Sequence, residues 1–389
     1  MHALTALVYS FVIAQTPPAV STDTNFMAVF EHAASMISQL HYSRGQRTQE
    51  FKARFDAYRP KVQAVKTKEE FGILMDKLID EFQDSHFDFL PDNEQGFYVF
   101  EGLLKREKAV EMPHIGAWFR RAKEGYVVSM LMQGLPAALA GIRKGDIVTS
   151  IEGLPFSPVD SLRPFVGKTP KITYLRNGVK QTVDVSVVST RAMQMFLDGT
   201  TKSARLIEVN GKRYGYMHLW TMGAPDFSQA LDQAIEGRFA GTDGFILDLR
   251  DGFGGRPEGY GDAFFRPEMT VEYGEGQISR FGYSKPLVAI INEGTRSAKE
   301  VYAYVLKKAK RATLVGKNTA GAVLGTVPLQ MNSWAYLEIP IVAVSVDGGK
   351  LEDKGVAPDI RVEEEFSTDG AKDLFLEKAI SVLDSKVRG

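Results

Sequence analysis

No cysteine occurs in the 389 residues. That excludes a disulfide framework, a thiolate zinc site and a cysteine nucleophile together. Charge of one sign is also missing: 47 Lys and Arg stand against 48 Asp and Glu, a net charge of -1. Polyanion binding draws on clustered cations, so nucleic acid is not an expected partner. The six histidines are scattered, at 2, 32, 41, 86, 114 and 218, and no HExxH pair is formed. Neither a catalytic metal nor another cofactor is expected. Long apolar runs are lacking as well. The one candidate, Ala3 to Ala14, is too short to span a bilayer. Small residues at Val12 and Ala14, followed by Gln15-Thr16-Pro17-Pro18, make residues 1–14 a secretory signal candidate, although the charged n-region is absent. A secreted or periplasmic location follows if that leader is cleaved.

What is present is an ordinary globular composition, 44% hydrophobic and 24% charged. From Phe26 to Phe82 the pattern is helical. Thr67 and Glu70 form a capping box before Phe71, Leu74, Leu78, Ile79 and Phe82, which share one face. Asp84-Ser85-His86 follows, at the entry to an extended stretch. Residues from about Val110 to Val188 read as a small β-rich unit in which Asn177-Gly178 is the strongest hairpin signal. Beyond about Arg205, strands (Tyr214–Trp220, Phe245–Leu249, Leu287–Ile291, Thr313–Val315) alternate with helical patterns, which predicts an α/β sheet.

Three places can carry chemistry. Asp248 to Gly255 ends an apolar strand in a Gly-rich turn that can present bare N–H groups, without Walker or Rossmann spacing. Ser297 stands between the strand Leu287–Ile291 and a helix, where free N–H groups and the dipole favour a developing anion. Ser297 with Glu300 also reads as a plain capping box. Ser85-His86 is the third place, and by itself a lone histidine more often packs than catalyses.

Taken in order, these segments resemble the tail-specific (C-terminal processing) and tricorn-type core serine peptidases. The resemblance includes a PDZ signature, Gly134-Leu135-Pro136-Ala137 followed by Ala140-Gly141-Ile142-Arg143-Lys144-Gly145-Asp146, and the closing run Glu352 to Ile360. It implies a crotonase-like (ClpP-like) α/β peptidase core over 191–389, a PDZ domain over 108–190 and an N-terminal helical segment over 24–95. Tail-specific enzymes use a Ser–Lys dyad, but Ala322 occupies the lysine position here. The tricorn-type design fits instead. It implies Ser297 as nucleophile, His86 as general base, and Ser85 and Glu352 as groups that orient and stabilise His86. The oxyanion hole would be the N–H of Ala298 with that of Gly254 or Gly255. Asp353 and Glu338 compete with Glu352 for the acid role. Lys299, two residues beyond Ser297 on a helix, is expected to point away from its face, and Lys317 reads as a solvated turn residue. The implied partners are polypeptides, recognised through their C-termini by the PDZ groove, which would tether substrate or gate the site. The alternative on the same scaffold is a non-catalytic binder of peptides or hydrophobic ligands.

Overall fold

The computed structural model describes residues 25–273, 277–368 and 370–388, so the leader candidate lies outside the described residues. Two compact units are formed. Of the described residues, one comprises 25–92 with Thr326–Val342, the other Asn93–Gly325 with 343–388.

In the first unit three helices, Phe26–Leu40, Arg44–Ala64 and Lys68–Asp80, precede the strand Asp88–Pro91. The expected cap is made: Thr67 Oγ1 accepts from Glu70 N at 3.1 Å, and the Glu70 carboxylate accepts from Thr67 N at 3.3 Å. Asp88–Pro91 pairs antiparallel with Ala335–Ala343, which pairs in turn with Leu324–Gln330. Alternate apolar residues of those strands, Val327, Leu329, Leu337 and Ile339, meet Phe30, Phe51, Phe71 and Phe82 in one core. That the helices would be completed by strands from so far along the chain was not expected from the sequence.

Within the second unit, the β-rich segment is a sheet of antiparallel strands around a core of Ile115, Phe119, Val128, Val148, Phe156 and Ile172. Asn177 and Gly178 close its hairpin with Arg176 opposite Val179, both turn residues at positive φ (50° and 77°), as a type I′ turn requires. Next comes a six-stranded sheet in the order Arg205–Val209, Lys212–His218, Gly244–Asp248, Leu287–Ile291, Ala312–Gly316, Ile360–Arg361. Its first pair is antiparallel and all others are parallel. The helix Leu374–Arg388 covers one face, burying Phe375, Ala379 and Leu383 against Tyr214, Ile246, Val288 and Val315. In a parallel sheet the loops at the C-terminal strand ends gather on one side, and ligand sites form there. Three neighbouring strands deliver such loops: Leu249 to Gly255, Asn292 to Ser297, and Lys317 to Val323.

Candidate functional site

Ser297 opens the helix Ala298–Lys308 with φ 59° and ψ -130°. An ordinary N-cap lies in the β region, so this serine is no routine cap. A non-glycine residue in such a conformation costs on the order of 1–3 kcal/mol and persists only where its surroundings impose it. The surroundings here are backbone and carboxylate. Ser297 N donates to Ala322 O at 2.9 Å and to Glu300 Oε2 at 3.2 Å. Glu300, fully buried, also accepts from Thr319 Oγ1, Gly321 N and Ala322 N at 2.6–2.8 Å. One carboxylate thus binds the start of the serine helix to the loop after the next strand.

Gly254 is the residue that packs on the serine. A β-carbon at 254 would fall 2.4 Å from Ser297 Cβ, 2.5 Å from its Oγ and 2.9 Å from Ala298 N. At Gly255 (φ 136°) a β-carbon would instead strike Met222 O at 2.0 Å. Side-chain-free backbone at 254 therefore brings the Gly-rich strand Phe253–Gly255 against Ser297 and the first helical residue. The Ala298 N–H has no carbonyl one turn back to accept it.

The turn between Asp248 and that strand rests on a buried ionic network. Arg250 donates to both carboxylate oxygens of Asp248 and of Asp373, and to Glu365. Burial would raise the Asp248 carboxyl, but the charge of Arg250, then of His218, outweighs it and holds Asp248 far below the usual range. Asp251 takes Lys144 Nζ at 2.5 Å and Asn292 Nδ2 at 3.0 Å, and its own N–H donates to Asn292 Oδ1. His218 is buried and stacked on Trp220 with centroids 3.7 Å apart. Its Nε2 meets Arg250 O at 2.9 Å, and burial pushes its pKa down to about 4. His114 is likewise buried and lowered to about 4, between Gly116 N and Thr190 Oγ1.

Lys299 joins this network. It is completely buried and reaches the Gly-rich turn, where Nζ donates to Asp251 O at 2.7 Å and Arg250 O at 3.3 Å. Burial pushes its pKa down to about 7, against the opposing pull of Asp248 and Asp251. Helical spacing alone does not reveal this, because a long side chain at the first turn can fold back over the helix end. Lys317 is partly exposed and pairs with Glu293 at 3.0 Å. Glu352 accepts from Val323 N, while Asp353 N donates to Gly321 O at 2.8 Å, so this acidic pair grips the loop whose Ala322 meets Ser297. The competitor Glu338 lies in the first unit, where it accepts from Thr326 Oγ1.

Ser85 and His86 belong to the first unit. Ser85 Oγ lies 3.1 Å from His86 Nδ1, and both Gln83 and His86 have positive φ (58° and 55°). Between them Asp84 accepts from Tyr42 OH at 2.7 Å and Arg47 Nη1 at 2.5 Å, with His41 Nε2 at 3.3 Å. Burial works to raise the Asp84 carboxyl, but these donors hold it below the usual range. Among the described residues, no group of three or more His, Asp or Glu could hold a metal ion, and no helix is long and apolar enough to cross a membrane.

Residues 213–362 match Peptidase family S41 and residues 113–187 match the PDZ domain. A carboxy-terminal-processing protease of Bartonella bacilliformis is 28% identical over 257 residues, 59% of this chain and 56% of that protein. A putative tricorn protease homolog 2 of Streptomyces coelicolor is 24% identical over 355 residues, 85% of this chain and 30% of that protein. The chain therefore spans only about a third to a half of these relatives. The crystal structure of the tricorn protease aligns with 94% of this chain and 37% of its own at a TM-score of 0.57 and 18% identity, a likeness of fold. The strained serine and the glycine strand against it thus lie in the region that matches Peptidase family S41, and the preceding β-rich sheet in the one that matches the PDZ domain, in a chain similar to the carboxyl-terminal-processing and tricorn proteases.

Proposed function

We propose that this protein is a serine endopeptidase in which Ser297 attacks the scissile carbonyl of a polypeptide. The observation that carries the reading is Ser297 itself, held at φ 59° at a helix start with Gly254 packed on its hydroxyl. His86 acts as general base. In the tautomer whose Nδ1–H donates to Ser85 Oγ, the lone pair lies on Nε2, which takes the Ser297 proton as the Oγ–C bond forms. Negative charge then develops on the carbonyl oxygen, facing the N–H of Ala298 and of the Gly254–Gly255 strand. Collapse breaks the C–N bond. The imidazolium returns its proton to the leaving amine, and an acyl-enzyme remains. Water, deprotonated by the same imidazole, hydrolyses the ester and restores the Ser297 hydroxyl. Ser85 and Glu352 orient and stabilise the charged base. Ala322 excludes the Ser–Lys variant at that position, since a methyl group accepts no proton.

The same reading assigns 24–95 as the segment that supplies the base, 108–190 as the PDZ domain and 191–389 as a crotonase-like core, with residues 1–14 as an export signal. The PDZ domain holds substrate C-termini and gates the site. Gating is supported by three contacts between the PDZ domain and the Gly-rich turn: Lys144 with Asp251, Met130 Sδ accepting from Gly252 N at 3.1 Å, and Trp118 edge-on to Phe253 at 5.0 Å.

The test is covalent labelling with a fluorophosphonate. Labelling of the folded chain is expected, absent in Ser297→Ala and reduced at least about 1,000-fold in rate in His86→Ala. A folded wild-type chain that stays unlabelled from about pH 6 to 9, a range that runs through and above the ordinary titration of a histidine, would return the protein to the class of non-catalytic binders.

A further inference from the structure

Among the described residues Lys299 is the one lysine without exposed surface. A buried ammonium normally survives by pairing with a carboxylate. This one does not. The Asp248 carboxylate is engaged by Arg250 and Tyr216, and that of Asp251 by Lys144 and Asn292. Lys299 Nζ is directed instead at two backbone carbonyls, Asp251 O and Arg250 O. Those carbonyls open a turn with glycines at 252, 254 and 255, where no side chain is available to fix the backbone. The turn is held from outside along its length: His218 on Arg250 O, Asn292 on Asp251 N, Met130 on Gly252 N, Trp220 O on Phe253 N and Thr221 Oγ1 on Gly254 O, with Lys299 on the carbonyls of Arg250 and Asp251. Of these, Lys299 alone stands on the helix that begins at Ser297.

We infer that Lys299 is a positioning residue of the oxyanion site: by clamping the carbonyls of Arg250 and Asp251 to the Ser297 helix, it sets where the N–H groups of the 254–255 strand lie against the nucleophile. This rests on the reading of Ser297 and the glycine strand given above. The rival role for a buried lysine beside a serine is general base. A base must aim a lone pair at the hydroxyl, whereas Lys299 Nζ is engaged by the carbonyls of Arg250 and Asp251, and Gly254 is what meets Oγ.

The decisive variant is Lys299→Met, which keeps the chain's bulk and removes the donor. Its kcat for a peptide is expected to fall about 30- to 300-fold, near the loss of one oxyanion donor, with KM within about twofold. The inhibition constant of a peptide aldehyde, whose hemiacetal oxygen occupies the oxyanion site, should rise by the same factor. Lys299→Gln, with a donor one bond too short, carries the same expectation and serves if the methionine variant does not fold. A folded variant with kcat within about threefold of wild type, or with kcat lost and aldehyde affinity kept, overturns the inference. So does fluorophosphonate labelling that disappears in Lys299→Met but persists in His86→Ala, which would make the lysine the base. Failure of the underlying reading appears separately, as labelling that survives Ser297→Ala.

Discussion

At Ser297 the backbone is held against its own preference, and two devices hold it: the Glu300 carboxylate on its N–H and the Ala322 carbonyl beside it. Glycine adopts the same conformation without a Cβ penalty. Replacing Ser297 by Gly and by Ala should therefore separate strain from chemistry. Both variants lose labelling, but Ser297→Gly should be more stable than Ser297→Ala by about 1–3 kcal/mol. Denaturant unfolding of the two proteins checks it, and equal midpoints would mean that the serine is unstrained. The cap motif Ser-x-x-Glu was legible in the sequence, but the dihedral angle was not. The distinction comes from Glu300 being satisfied by four donors across the fold, which no local spacing encodes.

The turn Gln83 to His86 depends on contacts with two other elements for its shape. Two of its four residues are at positive φ, and Asp84 is tied to Tyr42 and to Arg47 of the second helix. The Asp84 carboxyl is depressed in the folded state. A depressed carboxyl contributes stability that is fully present above its unfolded pKa, near 4, and lost as pH falls through the folded value. Asp84→Asn should cost about 1–3 kcal/mol at pH 7 and flatten the acid side of the stability curve, as melting temperatures from about pH 3 to 7 would record. An unchanged acid slope would show the clamp to be energetically idle. Elements with strong local signals were readable beforehand: the Thr67 cap, the Asn177-Gly178 hairpin and the strand Leu287–Ile291 appear where expected. Those whose periodicity makes sense only after pairing were not. The hairpin Met269–Tyr273 with Gln277–Phe281 and the strands Leu324–Gln330 and Ala335–Ala343 take their meaning from partners. The roles given to Ser85, His86, Ser297 and Glu352 rest on family resemblance. Lys299 escaped because its burial is a tertiary fact.

Across the second unit, the ionic network makes the PDZ sheet and the Gly-rich turn parts of one arrangement. Lys144 follows the PDZ helix, and its ammonium lies between Asp251 and Glu365, the latter also held by Arg250. Burial lowers the basicity of Lys144, but the two carboxylates outweigh it, so this cation is raised and stays charged. Removing it leaves Asp251 without its cation while Asn292 still holds it, and the turn loses its charged tie to the PDZ sheet. A pure tether would be indifferent to that loss when the substrate is too short to reach the PDZ groove. A gate would not, because the coupling runs through the turn itself. Lys144→Ala is therefore expected to lower kcat for a short peptide about tenfold, roughly 1.4 kcal/mol of transition-state stabilisation, with KM unchanged. Charge reversal at Lys144 should cost more, since it places a third carboxylate beside Asp251 and Glu365. If both variants cleave short peptides at the wild-type rate and lose only long, C-terminally docked substrates, the PDZ domain is a tether.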